Sequence, residues 1–450
     1  MTTITSLLSD AVQAILIKGE PGCGKTTFAL ELLRAAGGGV YISTRVSREK
    51  LLGQIPGVKE LIISSGSTQG PSGSVEMGDM RLATPSDVLR QIVEGGREPV
   101  KEVIVLDSWD GIAKEVSSVE RVKIEKTLLV VAESRNKKLV FLSEEPEETT
   151  ISYLVDAIVT LTKELHDGAV VRTIETEKLR GGPILRPKAL FTLAGGRFKE
   201  FEAGPPHPAS FEKSAEFRPI PHSEHVYSSG MKAFDVGSPG GWKKGSVDLL
   251  EFGENLNSAV HYGIYNIVFC NFILNGGCAL KVPGGGGKYT EIAKLARLIL
   301  AAESVSKHLA VGAFEKYDDP WFFSLSSVSI EDCFNQLWTK MADLKGKTKR
   351  PLVVMLGLDT LESLFGEREL LYYISRTCQL VRRNADLLAL ACGNSSRLAS
   401  QLKGLCDFHA KFEIIDDSLT VHSINPPGPI VHVYYDYERG FPYPMLTPVL

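Results

Sequence analysis

At 450 residues the chain is too long for one ordinary hydrophobic core, so two domains, or three, are expected. Its 43% hydrophobic and 23% charged residues are those of a soluble globular protein, which excludes a disordered or fibrous chain, and no segment approaches a clean membrane span. A net charge of -4 supplies no general pull towards nucleic acid or an anionic membrane and leaves a local basic patch as the remaining route to either.

Met1 to Asp10 has no basic n-region and no long apolar run, so no secretory signal is expected and the protein reads as cytoplasmic. Ala14-Ile15-Leu16-Ile17 is an apolar run of the buried-strand type. It leads into Gly19-Glu20-Pro21-Gly22-Cys23-Gly24-Lys25-Thr26, a complete P-loop. Glycines at these places let successive backbone N–H groups turn around a phosphate, and the following helix aims its positive end at the same point. That helix is legible as Phe28-Ala29-Leu30-Glu31-Leu32-Leu33. Lys25 can reach the β- and γ-phosphates, and the Thr26 hydroxyl can hold Mg²⁺. A glycine-rich turn matching by chance is the plainer reading, and correct flanks on both sides argue against it. Gly19, Glu20, Pro21, Gly22, Cys23, Gly24, Lys25, Thr26 and Thr27 are therefore expected to hold the nucleotide.

Short apolar strands then alternate with helical stretches, the pattern of a mostly parallel sheet covered by helices. Val40-Tyr41-Ile42-Ser43 is followed by Glu102-Val103-Ile104-Val105-Leu106-Asp107, a buried-type strand ending in a carboxylate. Leu139 to Ser143 and Asp156 to Leu161 are the next two. With a P-loop upstream, Asp107 is expected to hold Mg²⁺ through water, with Ser108 beside it; a strand-end carboxylate that only caps a loop is the alternative. From Ala169 to Glu202 alternating segments and turns predict an antiparallel extension. Prolines and an irregular pattern mark 203–231 as a linker between a first domain at 1–202 and a second at 232–450.

The second half starts again in the same way. Gly245 to Glu254 stands where Gln13 to Glu20 stands, at an offset of about 234, as duplicated domains would give. At that offset Gly24, Lys25 and Thr26 become Ser258, Ala259 and Val260. Pro351 to Leu356 takes the place of the Asp107 strand, but Gly357 stands where the carboxylate would be. Without lysine, hydroxyl and carboxylate this half is expected to be a decayed copy. Pro283-Gly284-Gly285-Gly286-Gly287-Lys288 lies after the second strand and lacks Gly-Lys-Thr, so it reads as a flexible loop. The seven cysteines (Cys23, Cys270, Cys278, Cys333, Cys378, Cys392, Cys406) form no CxxC pair and support neither a zinc site nor a disulfide framework.

The order of these features, with Asp156 before a strand, a basic Lys178-Leu179-Arg180-Gly181 and a closing Phe191-Thr192-Leu193-Ala194-Gly195-Gly196-Arg197-Phe198, resembles the RecA-like ATPases of the KaiC/RadA branch. Gly240-Gly241-Trp242-Lys243-Lys244-Gly245-Ser246-Val247 is similar to the lead-in of a KaiC-type domain. The resemblance covers about 1–202 well and 232–450 weakly. It implies an α/β chain of two tandem RecA-like P-loop domains, each a mostly parallel central sheet flanked by helices, the second degenerate. It also implies that Lys178 and Arg180 reach a neighbouring subunit's nucleotide and stabilise charge on its γ-phosphate, which requires a homo-oligomer. A solvated basic turn is the bland alternative for both. The tandem layout with one P-loop also resembles archaeal KaiC-like proteins and the gas-vesicle regulator family GvpD. No Asn/Thr-Lys-x-Asp segment for reading guanine is present, so the expected cofactors are ATP and Mg²⁺.

One departure from the branch bears on activity. A glutamate just after the second strand positions the attacking water there, whereas this chain reads Ser43-Thr44-Arg45-Val46-Ser47. Arg45 stays protonated at physiological pH and cannot be a general base. Glu20, Glu144 and Glu145 are other carboxylates within the expected site, though Glu144 to Glu148 reads first as an exposed acidic loop. The reading is a slow ATPase acting as a nucleotide-dependent switch or assembly factor. The alternative is a regulatory protein that binds ATP and a protein partner without hydrolysis. A recombinase-like DNA binder is weakest, given the acidic balance and the lack of a helix-hairpin-helix or zinc-ribbon appendage.

Overall fold

A computed structural model describes the chain apart from residue 1, most of 56–102, and 115, 146–149, 204–216, 238–239, 255, 257, 285–288, 394–395 and 436–443; within 56–102 it describes 62–63, 75–79, 87 and 89–90. Glu102 and the glycine-rich run from 285 to 288 lie outside the described residues. The chain divides into two compact units, Met1–Ala203 with Pro448–Leu450, and Gly204–Thr447. All seven cysteines are buried and free of disulfides.

The first unit is built on strands β1 (Ala14–Lys18), β2 (Gly39–Ser43), β3 (Ile62–Ile63), β4 (Val75–Asp79), β5 (Val103–Asp107), β6 (Lys138–Ser143), β7 (Ala157–His166), β8 (Ala169–Leu179), β9 (Lys188–Thr192) and β10 (Lys199–Glu200). Their order in the sheet is β10-β9-β8-β7-β1-β6-β5-β2-β4-β3. From β7 to β3 every neighbouring pair is parallel. The β8, β9 and β10 pairings are antiparallel, as the alternating segments after Ala169 predict. β1 is buried along its whole length, so both of its faces need cover. Ile15 and Ile17 pack on one side with Val105, Val140 and the helix Lys25–Ala35, which contributes Phe28, Leu32 and Leu33. Leu16 packs on the other with Ile104, Phe141, Trp109 and Leu128. Alternate residues of each strand thus feed two separate cores, the signature of a sheet between two helical layers.

The second unit repeats the plan. Its strands are β11 (Val226–Tyr227), β12 (Trp242–Lys243), β13 (Val247–Phe252), β14 (Cys278–Val282), β15 (Leu309–Ala313), β16 (Phe322–Ser324), β17 (Leu352–Gly357), β18 (Leu387–Gly393), β19 (Phe408–Ile415), β20 (Ser418–Asn425), β21 (Ile430–Tyr435) and β22 (Pro444–Pro448). The main sheet runs β16-β15-β14-β17-β18-β13-β19-β20-β21-β22. Matching β13 to β1 makes β18, β17, β14 and β19 the counterparts of β6, β5, β2 and β7, in the same spatial order and with parallel pairing throughout. The protein is therefore α/β with two tandem RecA-like sheets, each dominated by parallel strands and flanked by helices.

From Phe217 onward the stretch that reads as a linker is built into the second unit. Phe217, Tyr227 and Met231 are buried in its core, and β11 pairs with β12. Asn271, on the helix Ser258–Leu274, accepts from Ile220 N at 2.8 Å and donates to Ile220 O at 3.1 Å and Ser228 O at 3.0 Å. A buried amide that meets the backbone's needs lets a proline-broken segment lie inside without ladder partners.

Candidate functional site

Parallel register brings the C-terminal ends of four strands to one edge. Lys18 stands opposite Ser143, Asp107 opposite Leu142, and Ser43 opposite Asp107. The loops after β1, β6, β5 and β2 therefore open onto one crevice, where open α/β sheets bind ligands. The loop after β1 is the P-loop. Gly19 is required by close approach, since a Cβ there would lie 2.4 Å from Leu161 O and 2.6 Å from Cys23 Sγ. Gly24 caps the helix Lys25–Ala35 with φ 111°, and a Cβ there would meet Leu193 Cδ1 at 2.9 Å. With no side chain to bond them, the first N–H groups of this helix face the crevice as a ready anion site.

Lys25 is 7% exposed, and its ammonium donates to Gly19 O at 2.6 Å and Glu20 O at 2.9 Å. Thr26 Oγ1 donates to Asp107 Oδ2 at 2.7 Å, which joins the start of the helix to the end of β5 across 81 residues of sequence. Glu20, Pro21 and Gly22 are exposed, Thr27 is half-buried in the first helical turn, and Cys23 is buried, which pushes its thiol pKa up. Residues Gly19 to Thr27 and Asp107 thus meet in one place, as the sequence predicts.

Lys178 and Arg180 lie elsewhere. Lys178 stands opposite Ile158 near the start of β7, whereas the P-loop lies beyond Thr160. Lys178 donates to Ser152 O at 2.9 Å and Tyr153 O at 3.3 Å; Arg180 donates to Tyr153 O at 3.2 Å and Asp156 Oδ1 at 3.4 Å. Asp156 in turn accepts from the Gln13 and Ala14 N–H groups at 3.0 and 3.1 Å, which anchors the start of β1. Both basic residues therefore sit at the opposite end of the strands from their own P-loop.

Three contacts around the site are not legible in the sequence. Tyr41 is 1% exposed, and its hydroxyl donates to the same Asp107 Oδ2 that receives Thr26. Burial and then the Asp107 charge hold the phenol well above its ordinary pKa, so it is a hydrogen donor here. In sequence it is one apolar letter of a strand. Arg172 on β8 donates to Gly22 O at 3.1 Å and Cys23 O at 3.2 Å, bracing the P-loop from outside. No local signal marks it. Arg45, after β2, pairs with Glu144, after β6, at 2.7 Å. Glu144 and Glu145 consequently are not a free acidic loop, since Arg121 also reaches Glu145 at 3.4 Å. Glu148 lies outside the described residues.

The corresponding edge of the second unit has closed. Gly357 ends β17 where Asp107 ends β5, and a Cβ on it would lie 2.0 Å from Gly284 N and 2.1 Å from Gly284 Cα. Asp359, two residues on, accepts from Gly393 N at 2.8 Å, and burial raises its pKa. Backbone fills the space in which a metal-holding carboxylate would stand.

Comparison with known proteins agrees with this geometry. The KaiC ATPase family model matches residues 10–196. Protein GvpD2 of Halobacterium salinarum is 23% identical over 474 aligned positions, covering 97% of this chain and 93% of its own. Protein GvpD1 of the same organism is 21% identical over 520 positions, covering 98% and 94%. No helix among the described residues is long and apolar enough to cross a membrane. Over nearly its whole length the chain is thus similar to the GvpD proteins, and its residues 10–196 match the KaiC ATPase model, a P-loop nucleotide-binding fold.

Proposed function

We propose that the first unit binds Mg-ATP and works as a slowly hydrolysing switch, while the second unit supplies structure and surface. The observation that carries this is the meeting of Lys25, Thr26 and Asp107 at the P-loop, with Thr26 Oγ1 bonded to Asp107 Oδ2 at 2.7 Å. The donor set suits a hard cation: a hydroxyl and a carboxylate oxygen side by side. Thr26 would hold Mg²⁺ directly and Asp107 through water. When bound, the ion neutralises charge on the β- and γ-phosphate oxygens. The chain's own part is to cradle the phosphates on the loop and first-turn N–H groups, to bring Lys25 to them, and to hold Asp107 in place through Tyr41 and Thr26.

Slow turnover follows from Arg45 occupying the place of a water-orienting carboxylate. Lys178 and Arg180, remote from their own P-loop, would serve only a neighbouring copy's nucleotide, which makes a homo-oligomer part of this reading. Mg-ATP binding and turnover of wild type and Lys25→Ala test it. Tight binding lost in the variant supports the site; equal binding by both, or by neither, overturns it. Wild-type turnover no faster than the variant's, with binding intact, selects the non-hydrolysing regulator that acts through a protein partner. Sizing with and without Mg-ATP tests the assembly: a monomer in both states removes the role of Lys178 and Arg180.

A further inference from the structure

An ion pair spans the mouth of the phosphate crevice. Arg45 follows β2 and Glu144 follows β6, with β5 between them, so the strand ends are roughly 10 Å apart at ordinary sheet spacing. The Arg45 guanidinium therefore crosses past the end of β5 to reach Glu144 Oε2 at 2.7 Å. The hydrogen bond from Arg45 holds the Glu144 carboxyl low, with the Lys25 ammonium adding to the effect. Glu144, and then Asp110 and Asp107, hold the guanidinium firmly charged. The backbone on both sides is clamped. Glu144 N donates to Asp110 Oδ2 at 2.6 Å, and Ser143 Oγ donates to Asp110 Oδ1 at 2.9 Å, with Asp110 itself fully buried. Thr44 N donates to Asp107 O at 2.7 Å, and Ser108 N donates to Thr44 Oγ1 at 2.9 Å. The two side chains, by contrast, are 40% and 30% exposed, so they can part without disturbing a strand.

We propose that Arg45 and Glu144 form a latch operated by the γ-phosphate, one that lets the chain tell a nucleoside triphosphate from a diphosphate within a single subunit. The proposal rests on the Mg-nucleotide reading above. A solvent-exposed pair is weakly held, whereas a guanidinium on phosphate oxygens makes charge-assisted, fork-like bonds. A γ-phosphate extending from the P-loop past Lys25 therefore draws Arg45 away from Glu144. A diphosphate ends short of Arg45 and leaves the pair closed. Glu144, released, is the carboxylate whose movement reports the triphosphate to the surface of the unit.

The test is the affinity of the full chain, with Mg²⁺, for ADP and for a triphosphate with a non-hydrolysable β–γ bridge. Arg45→Gln is expected to weaken triphosphate binding by roughly tenfold or more and to leave ADP within about twofold. Glu144→Gln, which removes the competitor for Arg45, is expected to tighten triphosphate binding and leave ADP unchanged. Unfolding midpoints equal to wild type confirm intact variants, since the pair is exposed. If Arg45→Gln weakens both nucleotides alike, or Glu144→Gln loosens the triphosphate, the latch is overturned. If wild type binds neither nucleotide, the nucleotide site itself fails, a separate outcome that removes the latch with it.

Discussion

Replacing Gly357 by alanine measures how tightly backbone fills the end of β17 in the second unit. The added methyl would sit 2.0 Å from Gly284 N, 2.1 Å from Gly284 Cα and 2.5 Å from the Pro283 carbonyl carbon. Non-bonded heavy atoms settle at about 3.5 Å, so the 283–284 segment must retreat by roughly 1.5 Å or β17 must slip. Neither is a flexible side chain. β14 and β17 are hydrogen-bonded up to the Val282–Leu356 pair, immediately before the collision. Overpacking of this kind costs about 1–3 kcal/mol and occasionally more. The rigidity of both backbones puts Gly357→Ala at the upper end, about 3 kcal/mol. For a unit of this size each kcal/mol lowers the midpoint by about 2–4 °C, so a fall of roughly 6–12 °C is expected. Thermal unfolding of the full chain measures it, with nucleotide binding by the first unit as the control that should not change. A variant within about 0.5 kcal/mol of wild type, the range of ordinary surface substitutions, would refute the reasoning and show that the crossing segment yields. An aspartate at 357 meets the same obstacle, so placing a carboxylate there is not expected to create a metal site.

Asp248 in β13 is fully buried, and burial, then the Asp407 charge, raises its pKa well above the ordinary range, against a hydrogen bond from Ser246. A raised folded-state pKa means this residue's contribution is complete below the ordinary carboxylate pKa of about 4 and is lost as pH rises through the folded value. Asp248→Asn should therefore unfold at a higher midpoint than wild type at pH 8, with the difference shrinking towards pH 4; a difference independent of pH would contradict the assignment. Arg172→Ala removes both hydrogen bonds to the Gly22 and Cys23 carbonyls. Bonds from a charged donor are worth roughly 1.5 kcal/mol, so Mg-ATP affinity should fall about tenfold by calorimetry. Unchanged affinity would show that the loop holds its shape without the brace.

The P-loop and the duplicated α/β plan were legible in the primary structure because each depends on near neighbours. A phosphate cradle is one contiguous run from Gly19 to Thr26, and a doubly covered parallel strand such as Ala14–Lys18 must be apolar on both faces. The repeat was legible because two copies of one topology keep the same sequence of strands and helices. The irregular stretch ahead of the second repeat was misleading because prolines deny it a ladder. What holds it instead are its own Phe217 and Tyr227, buried in the second unit's core, and Asn271 on the helix Ser258–Leu274, contacts that no pattern within the segment records.

Tertiary structure decided what surrounds the phosphate site. Tyr41 and Asp107 are 66 residues apart, and Arg45 and Glu144 are 99 apart. Parallel neighbours need a crossover between them, so no local pattern records which side chains will share an edge. Residue type made Arg45 conspicuous as a missing carboxylate, but register gave it a partner. The same holds for the second half. The letter Gly357 shows that a carboxylate is absent, and only the crossing of Pro283–Gly284 over the end of β17 shows that no side chain fits there.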